Sequence, residues 1–230
     1  MKYIKHYKEL PVFFSSYGKF MHKLIELYYR EEITKEEMPM KFLLGFRTEV
    51  AGERPQASTV EKYIQSGLEY LGSFKPFPYK MIDVEKKITF DIKGIPFVGV
   101  VDYLGERNGE FYIVDNKSRD LKPRSHRAVP TVKDKELDEM LKQLYVYSEA
   151  IKSEFGKYPK ALCFNCFKSG VFIEEPFDPE VHAKTLEWVE KSVEDIKNTE
   201  VFYPQIDYFS CNNLCGLKHE CCYYQNRGGR

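Results

Sequence analysis

A mixed α/β domain with a short cysteine-rich tail is the fold class this sequence predicts, and three observations predict it. FVGVVDYL (97–104) and FYIVDNKS (111–118), both rich in β-branched and aromatic residues, flank Asn108–Gly109, a pairing that favours a two-residue hairpin turn. Apolar residues keep a helical period over about 133–155, at Leu137, Met140, Leu141, Leu144, Ile151 and Phe155, with strand-like stretches on either side. All six cysteines (Cys163, Cys166, Cys211, Cys215, Cys221 and Cys222) lie in the C-terminal third, most of them in an aromatic, irregular end.

From the N-terminus, residues 14 to about 30 predict a helix, with Ser15–Ser16 as its N-cap and Phe20, Leu24, Leu27 and Tyr28 at helical spacing. The charged stretch 31–55 is interrupted by Pro39, Gly45 and Gly52 and predicts only a poorly defined connection. A second helix covers 57–72 and ends at Gly72. SFKPFPYK then turns the chain into two β-like segments, 80–86 and 87–93, ahead of the hairpin. A basic, proline-containing loop (119–132) leads to the 133–155 helix. Strands around 160–167 and 171–175 follow, then an acidic helix over 179–198 with the single tryptophan, Trp188. The expected division is a domain over 1–200 and a cysteine-rich segment, 201–230, packed on it.

The 230 residues carry 35 Lys+Arg and 35 Asp+Glu, with 43% hydrophobic and 30% charged residues, a composition that excludes a wholly disordered chain. No apolar run approaches the ~18 residues that cross a bilayer. MKYIKHYKELPVFF has no signal-peptide core followed by a cleavage site. A soluble, cytoplasmic protein without a membrane partner is the expectation. The neutral total hides an uneven distribution. Residues 117–135 hold Lys117, Arg119, Lys122, Arg124, Arg127, Lys133 and Lys135 against Asp120 and Asp134, whereas 171–200 hold nine acidic and three basic side chains.

A two-residue turn at Asn108–Gly109 fixes the hairpin register: Arg107 faces Glu110, Leu104 faces Ile113, and Asp102 faces Asp115. Two carboxylates would then stand about 5 Å apart between apolar strands, a conflict that a divalent cation removes. Lys117, two residues beyond Asp115, points to the same face. The plain alternative puts both aspartates at strand ends in solvent, with Lys117 pairing one of them.

Gly99-Val100-Val101-Asp102, a short turn, and Ile113-Val114-Asp115-Asn116-Lys117-Ser118 together resemble the PD-(D/E)XK nuclease signature, and most closely its RecB-like branch, which includes CRISPR-associated and phage exonucleases. Gly18, His22 and Glu26 resemble that branch's helical G-x-x-x-H-x-x-x-E motif, and Gln143 with Tyr147 its QxxxY motif. Cys211, Cys215 and Cys221, preceded by Phe202 and Pro204, resemble the C-terminal cysteine knot of its iron–sulfur members. The matches keep the family's order over most of the chain. The resemblance implies a restriction-endonuclease-like core, a mixed central sheet flanked by helices.

The resemblance also implies roles. Asp102, Asp115, His22 and the Asn116 backbone carbonyl would hold one or two Mg2+ or Mn2+ ions, with His22 favouring Mn2+. These ions would activate water and offset charge on the scissile phosphate. Lys117 would orient or deprotonate that water, or stabilise the transition state. Gln143 and Tyr147 share a helix face and would contact DNA near the reaction. Arg119, Lys122, Arg124 and Arg127 would hold the DNA backbone on a mobile flap. Glu26 is either solvated or supports His22, and Glu85 receives no role.

The cysteines depart from the family pattern, because none precedes Cys163 and the first tail spacing is one residue longer than CxxC. Cys163 and Cys166, three apart in a strand, point to opposite faces. Three readings stay open: a [4Fe–4S] cluster with Cys222 as fourth ligand, a zinc site with His219, or buried thiols. The leading function is a metal-dependent DNA exonuclease acting on ends in recombination, repair or CRISPR adaptation, in a prokaryotic, archaeal or phage-infected cytoplasm and with proteins of those pathways as partners. The alternatives are a catalytically idle DNA-binding or assembly subunit and an endonuclease on the same core.

Overall fold

The computed structural model describes residues 6–203 and 207–225. Five strands form one sheet in sequence order: β1 (Lys80–Ile92), β2 (Ile95–Arg107), β3 (Glu110–Lys117), β4 (Ala161–Cys166) and β5 (Val171–Pro176). Every junction is antiparallel except β3 with β4, which is parallel. A parallel junction needs a long crossover, and α4 (Val132–Phe155) supplies it. The expected mixed sheet flanked by helices is what forms.

Local chemistry explains the elements. The residues Lys93–Gly94 and Asn108–Gly109 all have positive φ, the conformation of tight hairpin turns, so both turns have two residues and the strands keep a fixed register. Helix α4 starts at Thr131, whose hydroxyl accepts from the Asp134 N–H while the Asp134 carboxylate accepts from the Thr131 N–H. It stops at Gly156 in the left-handed conformation. Helix α5 (Pro179–Asn198) is capped by Asp178 and has proline in its first turn.

Both faces of the sheet are covered. Ile88, Val101, Leu104 and Ile113 pack against Leu137, Leu141 and Leu144 of α4 and Val189 of α5. The other face joins Tyr103, Tyr112, Val114 and Cys163 to Tyr29, Phe77 and Tyr79. Helices α1 (Phe13–Tyr29), α2 (Met38–Glu49) and α3 (Ala57–Gly72) build a separate aromatic core around Tyr17, Phe42 and Phe46. Cys163 and Cys166 do enter cores on opposite faces of the sheet, both completely buried.

Several sequence expectations are corrected. The connection expected over 31–55 contains α2. Its Pro39 falls in the first turn, where no hydrogen bond is lost, and Gly45 lies under Phe20, whose Cζ would be 2.6 Å from an added Cβ. The two segments 80–86 and 87–93 are one strand with an irregularity between Met81 and Asp83. Helix α1 begins one residue earlier than expected, at Phe13 with Val12 as N-cap, and Ser15 instead donates to the Val12 carbonyl at 3.1 Å. The tail, expected to be irregular, holds the short helices α6 (Tyr208–Asn213) and α7 (Cys222–Gln225) with a 3-10 turn, Lys218–Glu220, between them. Pro204 lies outside the described residues. No helix among them is long and apolar enough to cross a membrane.

Candidate metal and catalytic site

The site arises where the β2–β3 ladder ends. Pairing runs from Arg107 with Glu110 to Tyr103 with Val114, the expected register, and stops one step short of Asp102 and Asp115. Asn116 therefore has backbone groups that a longer β2 ladder would have used. Its N–H donates to Asp102 Oδ2 at 2.7 Å, and its carbonyl oxygen lies 2.8 Å from His22 Nε2 on α1.

A carbonyl can only accept, so His22 Nε2 carries the proton and a neutral ring leaves Nδ1 bare. That nitrogen is 3.4 Å from Asp102 Oδ2. Burial first of all lowers the proton affinity of His22, against the pull of Asp115 and Glu85, so a second ring proton is disfavoured. Two lone-pair donors thus face each other without a hydrogen between them. Glu85 is the third: one ligand atom each from His22, Glu85 and Asp102 lie within 4.8 Å of one another. The pairs Val84 with Tyr103 and Lys86 with Val101 set Glu85 across from Asp102. Glu85 has φ 52°, a left-handed backbone inside a strand, which costs about 1–3 kcal/mol and persists because both flanks are paired. Its carboxyl is raised above the usual range by burial and then by Asp102.

Asp115 stands beside this group and is 6% exposed. Burial raises its pKa, the Asp102 charge raises it further, and Lys117 opposes both. Its Oδ2 is 2.8 Å from Lys117 Nζ, an ion pair without aligned hydrogen-bond geometry, so this buried oxygen keeps a lone pair to offer. Lys117 Nζ also donates to Gln143 Oε1 at 3.3 Å, and Gln143 Nε2 donates to the Tyr147 hydroxyl at 3.0 Å. The Tyr147 ring lies against Gly99, where an added Cβ would be 2.7 Å from its Cε1. A half-buried set of imidazole nitrogen and carboxylate oxygens, with an Asp115 oxygen outside any aligned hydrogen bond beside it, fits a Mn2+ or Mg2+ ion.

The Asn116 carbonyl, expected as a metal ligand, is the acceptor that orients His22, a common partner for a ligating histidine. Glu26 accepts from Lys23 at 3.1 Å and Arg30 at 2.7 Å, and is not one of the three residues whose ligand atoms converge. In the basic loop, Arg124 pairs with Asp138 at 2.8 Å and Glu175 at 2.9 Å, and Arg119 approaches Glu136 at 3.8 Å. Lys122 and Arg127 are exposed. Asp134 accepts from the backbone and hydroxyl of Ser125, each at 2.7 Å, and fastens the loop to α4.

The tail cysteines are spread over α6, the segment after it and α7. Cys211, Cys215 and Cys221 are half-buried and Cys222 is exposed. Among the described residues, they do not form a group of three or more donors close enough to share an ion. Cys215 and His219 line a cavity of about 480 Å³ against Val12 and Phe13. The tail is tied back there, with the Leu10 N–H donating to the Gly216 carbonyl at 3.0 Å and Lys218 Nζ to Glu53 at 2.8 Å.

Glu85 is the residue that sequence reasoning missed, although its signal was present. Lys93–Gly94 makes a second two-residue turn, and the register arithmetic used for Asn108–Gly109 puts Glu85 opposite Asp102.

A family model described as the PD-(D/E)XK nuclease superfamily matches residues 1–222. No curated protein matches the chain. A solved structure titled "Crystal structure of SSO0001" is similar over 97% of this chain and 91% of its own, at 13% sequence identity and a TM-score of 0.32.

Proposed function

Since the chain belongs to the PD-(D/E)XK nuclease superfamily, we propose that it is a Mg2+- or Mn2+-dependent deoxyribonuclease of the RecB-like branch, working as an exonuclease at DNA ends in recombination, repair or CRISPR adaptation. The observation that carries this reading is the convergence of His22 Nδ1, Glu85 and Asp102 beside the Asp115–Lys117 pair. The placement of His22 on the first helix and of Gln143 and Tyr147 on the crossover helix supports the branch.

A bound divalent ion would supply Lewis acidity and charge neutralisation at the scissile phosphate. The chain's own groups do the rest. His22, Glu85, Asp102 and the free lone pair of Asp115 would hold the ion. Lys117, fixed between Asp115 and Gln143, keeps its ammonium at the rim of this group, where it stabilises charge growing on a phosphate oxygen. Gln143 accepts from Lys117 and donates to Tyr147, leaving the Tyr147 hydroxyl proton free to reach a phosphate or a base edge.

The test is an end-labelled linear duplex compared with a closed circle, each with Mn2+ and with a chelator. Metal-dependent loss of the linear substrate alone supports an exonuclease. Cutting of both identifies an endonuclease. No cutting of either, with single-stranded ends included, overturns the proposal. The intact Asp102, Asp115, Lys117 and Gln143 set weighs against an idle subunit, since a buried carboxylate group without a cation only destabilises the fold.

A further inference from the structure

Asn116 is held from two sides. Its backbone bonds Asp102 and His22, and its side chain points the other way, into the layer between the sheet and α3. There, Asn165 of β4 is its register partner, and Asn165 Nδ2 donates to Asn116 Oδ1 at 2.6 Å. Tyr70 of α3 closes the chain of contacts, its hydroxyl 2.7 Å from Asn165 Nδ2 and 3.0 Å from Asn165 Oδ1. Asn165 is only 4% exposed.

An amide in the middle of a fully buried strand is costly unless its donors and acceptor are satisfied. The other five residues of β4 are Ala161, Leu162, Cys163, Phe164 and Cys166, all without such a demand. A further apolar residue would pack there without needing a partner. The amide does something an apolar side chain cannot: it grips the Asn116 side chain, and through it fixes the height and rotation of the Asn116 peptide groups. Those groups set the tautomer and orientation of His22 and the position of Asp102 Oδ2.

We infer that Asn165, braced by Tyr70, is a positioning residue for the metal group: it acts through the Asn116 side chain to hold His22 Nδ1 and Asp102 Oδ2 facing each other. The inference rests on the metal-dependent reading above and deepens it. Asn165 touches neither ion nor substrate. Its contribution is the pre-alignment of two ligands carried by different elements, and loss of such an outer contact commonly weakens metal binding by roughly 10–100-fold.

The experiment is Mn2+ titration by calorimetry on the full chain, without DNA, for wild type, Asn165→Leu, Asn116→Ala and the double variant, at a temperature where each is folded by circular dichroism. Asn165→Leu should weaken Mn2+ binding by roughly 10-fold, and the double variant should be no weaker than the weaker single one. With substrate, the Mn2+ concentration for half-maximal rate should rise while kcat at saturating Mn2+ changes little. Should Asn165→Leu not fold, Tyr70→Phe, which removes one hydroxyl, should shift the Mn2+ affinity in the same direction. Unchanged Mn2+ affinity in a folded variant, or effects that multiply in the double variant, would overturn the inference while leaving the nuclease reading intact. A wild-type protein that binds no Mn2+ overturns both.

Discussion

His22 Nε2 lies 2.8 Å from the carbonyl oxygen of Asn116, and this one contact decides the chemistry of the imidazole. It commits the proton to Nε2 and leaves the Nδ1 lone pair aimed at Asp102. His22→Gln offers no ring nitrogen at that place. Mn2+ affinity should fall at least about 10-fold, the lower end for groups a shell further out. Calorimetry reads this directly, and an unaltered affinity would remove His22 from the ligand set.

Glu85→Gln removes one of three crowded carboxylates while keeping the shape. Without metal the variant should melt at a higher temperature than wild type, because Glu85 and Asp102 no longer repel. With Mn2+ the order should reverse, since the variant gains less from the ion. Thermal melts with and without Mn2+ test both signs, and a variant less stable than wild type in chelator would contradict the crowding.

The same crowding gives a pH dependence. Asp102 and Asp115 have folded pKa values above those of the unfolded chain, through burial in both and the charge of Asp102 on Asp115. Their folded forms hold protons that the unfolded chain has released, so stability is lost as pH rises from about 4, the unfolded value, through the raised folded values. Metal-free wild type should therefore lose stability relative to Asp102→Asn over that acidic-to-neutral window, and Mn2+ should restore it. Parallel melting curves against pH would refute this.

Asp134 runs the opposite way. Its hydrogen bonds from Ser125 and Thr131 hold its carboxyl well below the ordinary range. Its stabilisation is present above the unfolded pKa of about 4 and is lost as pH falls through the lower folded value. Asp134→Asn should lower the melting temperature at pH 7, with the gap to wild type narrowing only in strong acid.

Gly99→Ala tests the seat of Tyr147. An added methyl would overlap the ring, and displacement of the Gln143–Tyr147 pair should cost roughly 10–100-fold in kcat with little change in Mn2+ affinity. Single-turnover cleavage and calorimetry on the same preparation separate the two.

The hairpin register was legible in the sequence because Asn108–Gly109 favours a two-residue turn, which sets every pair that follows. Glu85 is legible by the same rule at Lys93–Gly94, but lysine is a weaker turn signal there, and the sequence pattern predicts two segments where one strand forms. Helix α2 was hidden because Pro39 and Gly45 read as breakers, and only the position of one in a first turn and of the other under Phe20 makes them harmless. The contact between the Asn116 carbonyl and His22 could not be read at all. It depends on where the β2 ladder stops, a property of two strands and a helix together. Arg124, expected to hold DNA, is engaged by Asp138 and Glu175, which approach it only in the folded chain.

The order of the strands also bears on how the molecule assembles. β1, β2 and β3 are neighbours in sequence joined by two-residue turns, so their pairing closes short loops, whereas His22 and Asn116 are 94 residues apart and β3 meets β4 only across α4. Short loops close sooner than long ones. The carboxylates of the meander should thus come together early in refolding, before the imidazole and the amide of Gln143 reach them. Pulsed hydrogen exchange should find the β1–β2 amides protected ahead of those of β4.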